Sequence, residues 1–97
     1  MKVWVVMVGD CEGSSLVCVC ASKEVAERQL LRKRNELIKE WQEGDDYIRK
    51  TMAGYIDDRY SRMITALSSD DYENWNNYPH DCPYILEQEI IEKENEP

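Results

Sequence analysis

Lys2-Val3-Trp4-Val5-Val6-Met7-Val8 is the stretch on which the fold turns. It is too short for a helix and rich in β-branched and aromatic side chains, so it reads as a strand. Val3, Val5 and Met7 share one face, while Trp4, Val6 and Val8 share the other. Both faces are apolar, which places this strand at the centre of a sheet. Gly9-Asp10-Cys11-Glu12-Gly13-Ser14 follows as a turn of glycine and short polar groups. Ser15 to Ala21 then returns as a second strand, closing a hairpin.

Ser22 is a good helix N-cap, and an amphipathic run extends to Glu43. Ala26, Leu30, Leu37 and Trp41 fall on one stripe, flanked by Leu31 and Ile38. Glu24, Arg28, Arg32, Glu36 and Glu40 form the solvated side. Gly44 is read as the stop, and Asp45-Asp46 as the start of a second helix near Tyr47 to Leu67. That helix presents Ile48, Met52, Tyr55, Ile56, Met63, Ile64 and Leu67 at helical spacing.

Ser68-Ser69-Asp70-Asp71 predicts a stop and a fresh cap before a short turn of helix around Tyr72 to Asn77. Pro79 and Pro83 bracket a loop, and Tyr84 to Ile91 reads as a third strand. The expected fold is α+β: a small antiparallel sheet, made of the N-terminal hairpin and a C-terminal strand, packed against an antiparallel helical hairpin. Residues 1–91 are expected to form one domain, and residues 92–97 a frayed acidic tail. A chain of 97 residues is too short for two independent cores.

Six Tyr and three Trp stand in for an absent Phe, which suits a core that continues into a contact surface. The longest apolar run, Val3 to Val8, is far short of the ~20 residues a membrane helix needs. It also lacks a signal-peptide cleavage site, so folding is expected to begin at Met1 in the cytoplasm. Cys11, Cys18, Cys20 and Cys82 are then expected as reduced thiols.

The net charge of −8 is unevenly placed. Acids and bases cancel over residues 1–69, and the whole excess lies in residues 70–97, where Lys93 is the only base. Such an asymmetry repels nucleic acid and draws in basic surfaces, including those that hold phosphates. The alternative is a solubilising tail. The cluster Arg32-Lys33-Arg34 points in different directions on a helix and is cancelled by glutamates, so direct nucleic-acid binding is not expected.

Catalysis finds little support. His80 is the only histidine, and Gly9, Gly13, Gly44 and Gly54 form neither a P-loop nor a dinucleotide fingerprint. The Asp pairs at 45–46, 57–58 and 70–71 are better read as helix starts or solvent-facing residues. No cofactor and no catalytic residue is expected. A zinc set of Cys18, Cys20, His80 and Cys82 is chemically sound, yet CxC with HxC spacing is uncommon and buried thiols commonly serve as small hydrophobes.

The feature expected to carry function is the aromatic-acidic stretch from Tyr72 to Tyr84. Tyr72, Trp75 and Tyr78 recur every three residues, interleaved with Asp70, Asp71, Glu73 and Asp81. Tyr and Trp dominate interface hot spots, and carboxylates around them steer a basic partner. These seven residues are the expected partner-binding surface. The competing role for Trp75 is to close the core beneath the helical hairpin.

The opening Met1-Lys2-Val3-Trp4-Val5-Val6, the helix start Ala21-Ser22-Lys23-Glu24-Val25-Ala26-Glu27 and the closing Pro83-Tyr84-Ile85-Leu86-Glu87-Gln88-Glu89-Ile90-Ile91 resemble short proteins encoded by bacteriophages and prophages. The resemblance covers both ends and leaves Gly44 to Asp81 unmatched, and it carries over no functional residue. That class includes or borders on small acidic proteins that disarm CRISPR effectors and restriction enzymes. The resemblance therefore implies an anti-CRISPR-like inhibitor whose partner is a host nucleic-acid-binding defence protein with a basic surface, met in the bacterial cytoplasm. Two other expectations stand beside it: a homodimeric structural or adaptor protein paired through an edge strand or the helical hairpin, and a zinc-stabilised module.

Overall fold

The computed structural model describes residues 1–10, 12–52, 58–77 and 81–90. Strand β1 (Lys2–Asp10) turns into β2 (Gly13–Cys20), followed by helices α1 (Lys23–Thr51) and α2 (Asp58–Leu67), a short 3-10 helix (Tyr72–Asn77) and strand β3 (Cys82–Glu89). This is the expected α+β order. The sheet is antiparallel throughout, in the order β2-β1-β3. The strand with two apolar faces is therefore the central one.

The hairpin turn is held by the Asp10 carboxylate, whose Oδ1 accepts from the backbone N–H groups of Glu12 at 2.8 Å and Gly13 at 3.0 Å. Gly13 takes a φ of +148°, which only glycine adopts without strain. Further along, the pairing slips: Val6 faces Cys18, but Met7 faces Leu16, leaving Val17 as an extra residue in β2. This bulge moves Leu16 to the face opposite Cys18 and Cys20. Val17 and Cys18 pack toward the core.

Trp4, Val6 and Val8 of β1, together with Cys20 and Ile85, meet the helices in one apolar cluster. Ala26, Leu30 and Leu37 of α1 and Met63, Ala66 and Leu67 of α2 supply its other side. The predicted stripe on α1 is thus the buried one, and Ser22 caps that helix by accepting from Val25 N–H at 3.3 Å.

The helical hairpin departs from expectation at its corner. Gly44 is no stop: α1 runs through it for 29 residues to Thr51, and Tyr47 to Thr51 belong to α1, not to a second helix. Asp45 sits inside that helix, paired with Arg49 at 3.0 Å across one turn. The reason for a glycine at 44 lies on α2. A Cβ there would approach Tyr60 Cε1 to 2.7 Å, so its absence lets the ring lie against α1. Tyr60 in turn meets Trp41 edge-on, with ring centroids 5.3 Å apart. Tyr55, Ile56 and Gly54 lie outside the described residues, as do Cys11, Pro79 and the expected tail at 92–97. Pro83 falls within β3, an edge strand, where its missing N–H is tolerated. No helix among the described residues is long and apolar enough to cross a membrane.

Candidate protein-binding site

The seven residues expected to form a docking surface separate into three groups. Trp75 is fully buried and belongs to the core cluster. Its Nε1 donates to Ser69 O at 2.8 Å, and the Arg34 guanidinium lies over its ring at 5.4 Å. Arg34 also donates from Nη1 to Leu67 O at 3.0 Å, bracing the end of α2. Trp75 is thus the floor beneath the helical hairpin, and a partner cannot touch it.

Asp81 is likewise committed inside the molecule. Its Oδ2 accepts from Trp41 Nε1 at 2.8 Å in a half-buried setting, tying α1 to the start of β3. Tyr78 lies outside the described residues. The remaining four, Asp70, Asp71, Tyr72 and Glu73, are consecutive and all exposed. The Tyr72 ring is 46% exposed while resting against buried Trp75 with centroids 4.7 Å apart.

The fixed shape of this acidic turn comes from its own short polar side chains. Ser69 Oγ accepts from Asp71 N–H at 3.1 Å and from the Asn74 amide at 2.9 Å. Asp71 Oδ1 accepts from Glu73 N–H at 3.0 Å, capping the 3-10 helix as the sequence predicts. The carboxylates of Asp70 and Glu73 are held outward by a backbone that is pinned twice, at Ser69 and at Trp75.

Tyr72 also borders a groove of about 880 Å³ that runs between β3 and the start of α1. Trp4, Leu30 and Ile85 form its apolar part, and Lys23, Glu27 and Glu87 its polar rim. No local pattern in the sequence announces this groove, because its lining comes from four separate elements. Acidic turn and groove share Tyr72, so a ligand that reaches both meets carboxylates on one side and aromatic and aliphatic surface on the other.

The thiols do not assemble as the zinc expectation requires. Cys18 and Cys20 do project from the same side of β2, with their sulfurs 3.7 Å apart. Among the described residues, however, no three His, Cys, Asp or Glu side chains converge to hold a metal, so Cys82 does not join them. His80 lies outside the described residues.

Burial, then the hydrogen bond and charge of Cys20, push the Cys18 thiol up, and burial pushes Cys82 up. The folded chain therefore keeps protons that the unfolded chain gives up. Stability from these groups is whole below the ordinary thiol pKa of 9.0 and is lost as pH rises past it. The urea midpoint should stay flat up to about pH 8 and fall above it, less steeply in a Cys18→Ala/Cys82→Ala variant. An equal fall in both proteins would assign the loss to other groups.

No known protein family, curated protein or solved structure matches this chain.

Proposed function

We propose that the protein acts by binding and not by catalysis, docking the acidic turn Asp70–Glu73 and the adjoining groove onto a basic surface of a nucleic-acid-handling protein. A phage-type inhibitor of a bacterial defence protein is the form of this reading that we favour. The observation that carries it is the pinned turn: three carboxylates and one half-exposed ring are displayed by a backbone braced from beneath by buried Trp75. Such preorganisation lowers the ordering cost of association. Carboxylates at a surface built for phosphates substitute for the nucleic acid's own charge, and Tyr72 supplies the desolvated anchor.

The test uses a protein captured from bacterial lysate and identified by mass spectrometry. Its affinity for the full chain should fall steeply with salt, and Asp70→Asn/Asp71→Asn/Glu73→Gln should weaken it by at least about ten-fold. Tyr72→Ala should do the same through k-off. Asp81→Asn serves as the contrast, because its carboxylate faces Trp41: it should lower stability by about 1–2 kcal/mol and leave affinity unchanged. Affinity indifferent to the triple neutralisation would refute the docking face.

A further inference from the structure

We propose that the sheet face turned away from the helices is a dimer interface, closed by the same face of a second copy of this chain. The alternation of β1 divides its side chains cleanly. Trp4, Val6 and Val8 enter the core cluster, whereas Val5 and Met7 do not. Register sets Val5 between Val19 of β2 and Leu86 of β3, and Met7 between Leu16 and Tyr84. None of these residues belongs to the core or its packed fringe. The bulge at Val17 completes the surface, since regular pairing would send Leu16 to the helix side instead.

The outcome is an apolar patch that crosses all three strands, bounded at one end by buried Val3 and exposed Gln88 on the same face. Leu16 is 61% exposed, Val19 55% and Leu86 42%. The solvated face of an antiparallel sheet ordinarily carries polar side chains. Here it carries no charge at all, in a chain of which a third of the residues are charged. The β3 glutamates do not interrupt it: Glu87 and Glu89 stand opposite Trp4 and Lys2, on the helix side.

Charge and area select the occupant. A partner recognised through charge finds none on this face. Two copies, each at −8, repel one another over most approaches, and this face is where they meet without opposing carboxylates. An isologous contact also supplies an equally uncharged, apolar complement automatically. Three strands of eight residues cover roughly 14 by 26 Å. Two such faces stacked about 10 Å apart remove on the order of 1,000 Å² from water, the lower end for a specific pair. The dimer is therefore reversible and concentration-dependent. It leaves the acidic turn free, because that turn lies with the helices.

Sedimentation velocity of the full chain from about 1 to 300 µM tests this. The expected result is a dimer fraction that grows with concentration, and a Leu16→Glu/Val19→Glu variant that stays monomeric with an unchanged circular dichroism spectrum. Leu31→Glu, on the exposed side of α1, should dimerise like the parent. If the glutamate variant loses its fold, Val19→Thr/Leu86→Gln, which keeps size, should raise the dimer Kd at least about ten-fold. A parent that remains monomeric at 300 µM overturns the proposal, even if another protein is found on this face. A dimer indifferent to these substitutions overturns it too.

Discussion

Trp75→Ala is expected to lower the unfolding free energy by about 3–5 kcal/mol. The ring is fully buried among Leu67, Met63 and the α1 stripe, and its removal opens a cavity that the short 3-10 helix cannot refill. Two polar links go with it, the bond to Ser69 O and the Arg34 guanidinium stacked on the ring. A domain of this size has about 5–15 kcal/mol in hand, so the variant sits near the edge of folding. Urea titration measures the loss. Trp75→Phe separates its parts, keeping most of the volume while forfeiting the hydrogen bond, at about 1–2 kcal/mol. A loss under about 1 kcal/mol for the alanine variant would show that the ring is not interior. The same substitution should also weaken partner binding, because the acidic turn loses the anchor that holds Ser69 in place.

Gly44→Ala is expected to cost about 1–2 kcal/mol, against what helix propensity alone dictates. Within a helix, replacing glycine by alanine ordinarily stabilises by about 1 kcal/mol. At this position the new Cβ meets Tyr60 Cε1 at 2.7 Å, and Tyr60 is itself seated on Trp41, so the ring has to leave its place or α2 has to move. A double-mutant cycle makes the argument decisive. In a Tyr60→Ala background Gly44→Ala should become stabilising, since the obstacle is gone and only the propensity gain remains. Thermal or urea unfolding of the four proteins reads the sign. If Gly44→Ala stabilises the parent as well, the helices do not touch here.

That glycine shows where local patterns stop informing. Gly44 followed by Asp45-Asp46 looks like a helix end and a new start, because both are common there. The same three residues serve a continuous helix when the glycine admits a neighbour's ring and Asp45 bonds Arg49 along the helix. The decisive partner, Tyr60, is distant in sequence, and no periodicity within α1 points to it. The strands were more legible. Two apolar faces on Val3 to Val8 require a central position, and the register of β2 and β3 on either side satisfies it. The bulge at Val17 was not legible, since Leu-Val-Cys-Val alternates equally well without it.

Within the candidate site, Tyr72 and Trp75 carry the same signal, a ring every three residues, yet one is half exposed and the other wholly enclosed. Spacing places both on a helical turn, and only the position of α2 decides which one it covers. The acids divide for a similar reason: Asp70, Asp71 and Glu73 meet solvent, while Asp81 meets the indole of Trp41.

The strand order has a bearing on how the molecule is made. β1 ends at Asp10, yet its second neighbour, β3, arrives only at residues 82–89. During translation the hairpin therefore waits with one flank of its middle strand unpaired, apolar on both surfaces and prone to stick to other chains. Helix α1, rich in local bonds, can form in the meantime and shelter one surface. Closure across that long sequence separation slows folding, which ties the yield of native protein to how quickly synthesis reaches β3.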